Sequence, residues 1–168
     1  DTSRDLLVRF DRDLTPLKPN ITFIKIGGND TEPDQDISIL EFKSNMSQLV
    51  RKLRAIGSKA CLMTYHSPIS TLYGEERVKK LSQFMEVIRE VASSEGTYLI
   101  DELPNWEILR KEHPSIHQSL IQDEIHLNKL GNTFLGLSLI KKLNLDISEG
   151  DQSYWAEAIR IYNLIHGD

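Results

Sequence analysis

The sequence predicts an α/β fold: a mostly parallel sheet with amphipathic helices on both faces, a three-layer α/β/α sandwich. Three observations carry this. Short apolar runs alternate along the chain with segments of helical periodicity. Each run is too short for a helix and ends at glycines, at a Ser-Pro pair or at acidic residues. The intervening helical segments are long enough to cross back over a sheet, which brings successive strands parallel. The length of 168 residues suits one domain with a sizeable core.

The elements follow in order. Apolar residues recur at helical spacing from Leu6 to Leu14, and Pro16 and Pro19 close that segment. Ile21 to Ile26 is short and β-branched, ends at Gly27-Gly28, and reads as a strand. From about Ile37 to Ile56, Phe42, Met46, Leu49, Val50 and Leu53 mark one face of a helix, with Gly57 as its stop. Lys59 to Tyr65 reads as a second, buried strand. Glu75 to Glu95 is a further helix with Val78, Leu81, Met85, Ile88 and Ala92 on one face, ended by Gly96. Thr97 to Ile100 is a short third strand, and Leu130 to Leu143 another helix. Residues 146–168 read as an acidic turn and a last helix bearing Trp155, Ala158, Ile159, Tyr162 and Ile165 on one side. The chain thus divides into a domain over 1–145 and a C-terminal helical extension over 146–168, whose stripe suits packing on that domain or on a second copy.

Composition excludes several functions. The net charge is −5 and no basic block stands out, which argues against a nucleic-acid surface. No apolar run is long enough to span a bilayer. The single cysteine, Cys61, lies in an apolar run and reads as a buried structural thiol. No metal or organic cofactor is expected. His113 and His117 are four apart, but Pro114 separates them and no His-Glu-x-x-His pattern is present, so both read as loop or surface residues. Asp101-Glu102 reads as a solvated loop pair.

Ligands in open parallel sheets bind outside the carboxyl ends of the strands. Asn29, His66 and Asp101 all follow strand ends, so they are expected on one rim. Asp123 lies three residues before His126, just ahead of a helical pattern, so carboxylate and imidazole can converge on one turn. That pair can serve as the acid and base of a serine hydrolase. It equally suits a helix start with Asp123 or Asn128 as cap. Asn29 can donate to a developing oxyanion, or simply make a turn.

Taken together, Leu17 to Asp30 and Asp123 to Asn128 resemble the third and fifth blocks of the SGNH hydrolases, also called the GDSL esterase/lipase family. Asp1 to Leu7 is similar to the sequence just after that family's second block. The resemblance covers roughly residues 1–143 and implies a flavodoxin-like sheet and a serine esterase. It implies His126 as base, Asp123 as its orienting acid and Asn29 as oxyanion donor; Asp30, His66 and Ser67, next to strand ends, are expected to line the substrate. The substrate would be an acetylated carbohydrate or a short acyl ester. The family's nucleophile, a serine in a Gly-Asp-Ser block, is not among these residues, and the resemblance puts it upstream of Asp1. Residues 1–168 alone are therefore expected to be inactive and poorly folded. Ser67 lacks a strand–turn–helix context because Pro68 follows it, and Ser3 sits at a helix start. A non-catalytic binding module on the same fold is the alternative, and a receiver- or flavodoxin-like domain a second. Asn20, Asn29 and Asn45 each begin a glycosylation sequon. A glycan on Asn29 would destroy the donor, which favours a cytoplasmic setting.

Overall fold

The computed structural model describes residues 1–146 and 152–167, with the side chains of 152–154 outside the description. The acidic turn expected near 147–151 lies outside the described residues. The chain forms two compact units, Asp1–Tyr65 with Glu75–Asp101, and His66–Gly74 with Glu102–Asp168.

The first unit holds the sheet. Its first helix, α1 (Ser3–Asp13), starts at Thr2, whose hydroxyl accepts from the Asp5 N–H while the Asp5 carboxylate accepts from the Thr2 N–H at 2.7 Å. This reciprocal pair satisfies two backbone donors that a helix start would otherwise leave unpaired. Strands β1 (Ile21–Lys25), β2 (Lys59–Met63) and β3 (Tyr98–Ile100) pair in parallel in the order β1-β2-β3. Ile24 lies opposite Leu62, and Leu62 opposite Leu99. Helix α2 (Ile39–Ala55) is capped by Ser38, whose hydroxyl accepts from the Glu41 N–H.

All five apolar positions read for α2 are buried, as are Leu81, Met85, Ile88 and Ala92 of α4 (Glu75–Glu95). Phe42 of α2 stacks on Phe84 of α4 with centroids 4.2 Å apart. Met46, Leu53, Leu62, Met85 and Ile88 complete this core. Each such side chain contributes about 1.5–3 kcal/mol by leaving water. Cys61 is buried among them, and burial pushes its thiol pKa up, so it stays protonated and inert.

Two expectations need correcting at the end of β3. Asp101 is no freely solvated loop carboxylate. Arg89 grips it with two hydrogen bonds of 2.8 and 3.0 Å, and the Thr64 hydroxyl donates a third. Glu102, which begins the next part of the second unit, is fully buried. Ser138 donates to it at 3.0 Å and the Lys142 ammonium lies 3.2 Å away. A buried carboxylate persists only with partners of this kind.

The second unit is helical. It comprises α3 (Ser70–Tyr73), α5 (Leu103–Glu112), α6 (Pro114–Ser119), α7 (Lys129–Lys142) and α8 (Gln152–His166). Trp106, Leu109, Leu120, Phe134, Leu137, Ala158 and Ile161 form its core. The stripe of α8 lies on this cluster, with Trp155, Ile159, Tyr162 and Ile165 partly buried against it. His117 is not a loop or surface residue as expected: it is buried on α6, and its Nε2 donates to the Ser67 carbonyl at 3.0 Å. No helix of the described residues is long and apolar enough to cross a membrane.

Candidate active site

Residues 121–128 form a closed loop just before α7. Ile121 and Leu127 pair as an antiparallel bridge. The Gln122 N–H donates to the His126 carbonyl at 2.7 Å and the Asn128 N–H to the Leu120 carbonyl at 3.0 Å. Asn128 then caps α7, its side-chain oxygen accepting from the Gly131 N–H at 3.0 Å. Glycine is required at 131, because a Cβ there would fall 2.1 Å from the Leu120 carbonyl oxygen. The helix start and the loop base are thereby packed backbone against backbone.

Asp123 and His126 sit at the tip. One oxygen of Asp123 accepts the N–H groups of Ile125 and His126 at 2.9 and 2.8 Å. The other accepts from His126 Nδ1 at 2.9 Å. The carboxylate thus shapes its own turn and also faces the imidazole. The backbone N–H bonds of His126 and Ile125, then the imidazole, hold the Asp123 carboxyl down to about 2, well below the usual carboxylate range. A carboxylate only accepts, so Nδ1 carries the hydrogen and Nε2 is left as the basic nitrogen. The two side chains are 71% and 46% exposed, so this pair is presented to solvent. Leu72, Asp123, Glu124 and His126 line an open depression of about 440 Å3.

Asn29 belongs to the first unit. β1 runs into Gly27, whose φ of +124° is costly for any side chain. A Cβ there would also press on Met85 at 3.2 Å. Asn29–Thr31 then forms a single 3-10 turn, with Thr31 N–H and hydroxyl both donating to the Gly28 carbonyl. Asn29 is exposed, on the turn that follows the carboxyl end of β1. Asp30, beside it, is fully buried. It accepts the Ser3 N–H at 2.9 Å, its second oxygen has no hydrogen-bond partner, and burial raises its pKa. Ser3 also accepts from Asn45 at 3.0 Å, so Asp30 and Asn45 anchor the start of α1.

His66 and Ser67 are also buried, each 2% exposed. His66 Nε2 bonds the Ile125 carbonyl, inside the Asp123–His126 turn. Ser67 is not brought to a histidine base. Its hydroxyl donates to Glu107 at 2.7 Å, and Arg110 and Lys111 pair with the same carboxylate. Burial pushes Glu107 up, but bonds from Arg110 and Ser67 and the Arg110 charge outweigh it and hold the carboxyl at about 2. The structure therefore joins Asp123, His126 and His66, and gives Ser67 a separate partner. Glu107, Trp106 and His117 were not singled out as partners of these residues. Trp106 and Glu107 lie on α5 and His117 on α6, two short helices without a long apolar pattern to mark them. An apolar hollow of about 420 Å3 between α1, β1 and α2 carries no histidine or serine. Among the described residues no cluster of three or more His, Cys, Asp or Glu could hold a metal ion.

Comparison with known proteins supplies the remaining context. The model of the GDSL-like lipase/acylhydrolase family matches residues 1–134. No curated protein matches significantly. Among solved structures, an acetylxylan esterase from Geobacillus stearothermophilus is 21% identical, with a TM-score of 0.73 over 87% of this chain and 69% of its own. A lipase/acylhydrolase from Enterococcus faecalis is 22% identical, with a TM-score of 0.71 over 85% of this chain and 70% of its own. An α/β hydrolase from the metagenome of Lake Arreo, Spain, is 23% identical, with a TM-score of 0.73 over 88% and 70%. At such identities the likeness is one of fold, α/β with a parallel sheet. Catalytic variants of the acetylxylan esterase replace a serine, an aspartate and a histidine, the last two separated by two residues.

Proposed function

Because the chain belongs to the GDSL-like lipase/acylhydrolase family, we propose that it serves as a serine esterase cleaving a carboxylic ester, with His126 as base, Asp123 as the acid that orients it and Asn29 as an oxyanion donor. The carrying observation is the 2.9 Å bond from His126 Nδ1 to Asp123, which leaves Nε2 basic and exposed. The spacing of aspartate and histidine is also that of the catalytic positions in the acetylxylan esterase.

The nucleophile in this reading is the Gly-Asp-Ser serine that the family likeness implies, which is not among residues 1–168; Ser67 donates to Glu107 and Ser3 accepts from Asn45. The serine oxygen attacks the ester carbonyl carbon and its proton passes to His126 Nε2. Asn29 donates to the oxygen that gains the charge. As the C–O bond breaks, His126 returns the proton to the departing alcohol. Water then repeats the sequence on the acyl-enzyme. Asp123 stays ionised throughout and stabilises the imidazolium.

We assign the substrate to acetylated carbohydrates or short acyl esters. The depression beside His126 is open and offers one large apolar side chain, Leu72, which suits a small acyl group better than a long chain. The test is the full-length protein with aryl esters of increasing acyl length and with a fluorophosphonate. Turnover should be highest for the acetyl ester, and the probe should add to one serine. Absence of both turnover and labelling would end the esterase reading.

A further inference from the structure

The loop tip that carries His126 is gripped from below by residues 66–69. We infer that His66 is a positioning residue for His126, holding through the Ile125 carbonyl the peptide that leads into the base. The inference rests on the esterase reading of Asp123 and His126.

The geometry is specific. A carbonyl only accepts, so His66 Nε2 carries the hydrogen and donates to it. Three residues on, the Ile69 N–H donates to the neighbouring Glu124 carbonyl at 2.9 Å. Two consecutive carbonyls of the tip are therefore held by one short segment, while Asp123 holds the two N–H groups of Ile125 and His126. The tip peptides are fixed on both of their polar sides. The His126 ring is solvent-exposed, so its own packing does little to restrain it, and its backbone must supply the restraint.

The grip is itself rigid. The His66 ring packs against fully buried Trp106, with centroids 5.0 Å apart. Trp106 meets Phe134 edge-on at 5.4 Å and His117 at 6.2 Å. His117 in turn donates to the carbonyl of Ser67, the residue after His66. Burial lowers the pKa of His117, against the Ser67 bond, and keeps it neutral. His66 thus faces the underside of the turn from the core rather than lining the depression above it.

Three variants of the full-length protein test this. His66→Ala removes the donor and the ring. His66→Gln keeps an N–H at nearly the position of Nε2 without the ring. Turnover of an aryl acetate is measured with the hydrogen-bonded Nδ1 proton resonance of His126. His66→Ala should lower kcat about 10- to 100-fold with KM little changed, since small misplacements of a catalytic group cost that much. It should also broaden or remove the resonance. His66→Gln should recover kcat to within a few-fold and restore the resonance. A folded His66→Gln as impaired as His66→Ala would show that the ring's packing matters and the donated bond does not, overturning the inference. So would a folded His66→Ala with wild-type kcat and resonance. His126→Ala is the control: if it retains turnover, the esterase reading fails, while the His126 resonance in wild-type and His66 variants still judges the positioning role alone.

Discussion

The loop at 121–128 and the turn at 27–31 both present a polar side chain to solvent, but they hold it by different means. In the loop, one carboxylate accepts two backbone N–H groups and the imidazole, and buried His66 and half-buried Ile69 secure the tip from below. In the turn, the shape comes from Gly27 at positive φ and from backbone and Thr31 bonds to Gly28, and Asn29 rides on that frame. The difference matches the roles proposed for the two side chains. An imidazole base works only in one tautomer and orientation, so it needs a dedicated acceptor. An amide donor has no tautomer to control and needs only a well-placed backbone.

Substitution should expose this asymmetry. The largest effect belongs to the loop. His126→Ala in the full-length enzyme should lower kcat by roughly 10^6-fold, and Asp123→Ala by roughly 10^4-fold. The melting temperature of His126→Ala should change little, because that side chain is exposed, whereas Asp123→Ala should lower it modestly, because two backbone N–H groups of the tip lose their acceptor. If Asp123→Ala stays within tenfold of wild type, the carboxylate shapes the turn but does not control the base.

Asn29→Ala should cost less, about 100- to 1000-fold in kcat, or roughly 3–4 kcal/mol, with KM little changed. Other donors to the oxyanion would remain. A folded Asn29→Ala with near-normal kcat beside an inactive His126→Ala would return Asn29 to the status of a turn residue and leave the loop assignment standing.

The smallest effect concerns the support beneath the loop. Glu107 is held at about 2 in the folded chain, against an ordinary 4.5. Its folded pKa is depressed, so its stabilising contribution is complete above about pH 4.5 and is lost as pH falls toward 2. With solvent screening this is on the order of 1–2 kcal/mol. Urea unfolding of wild type and Glu107→Gln should therefore differ at pH 6, and the difference should shrink as pH is lowered toward 2. A difference that stays constant across that range would show that the carboxylate is not coupled to Ser67 and Arg110 as the structure depicts.

Legibility in the sequence followed the amount of periodic apolar surface. Helix α4 was readable because its stripe repeats over 21 residues and Gly96 marks its end. The Asp123–His126 pair was readable because three residues of separation suffice for contact without any distant partner. Helices α5 and α6 were not read. They span 10 and 6 residues, each has a proline in its first turn, and α5 offers little beyond Trp106 and Leu109 as an apolar pattern. Glu102, which looks like a solvated loop carboxylate, is buried because Ser138 and Lys142, some forty residues later, reach it.

Local structure was thus determined by the sequence itself: the parallel α/β alternation, the glycine-shaped turn before Asn29, the capped start of α7 and the Asp123–His126 contact that precedes it. Their causes lie within a few residues of one another, in backbone conformation, side-chain reach and periodicity. Only the tertiary structure decided that His66 faces the underside of the His126 turn, that Ser67 answers to Glu107, and that His117 is buried. Those outcomes depend on partners 40 to 59 residues apart, whose encounter is set by how the helices pack around Trp106. No local pattern encodes that encounter, because burial of a polar side chain is stable only once a distant donor or acceptor has been brought to meet it.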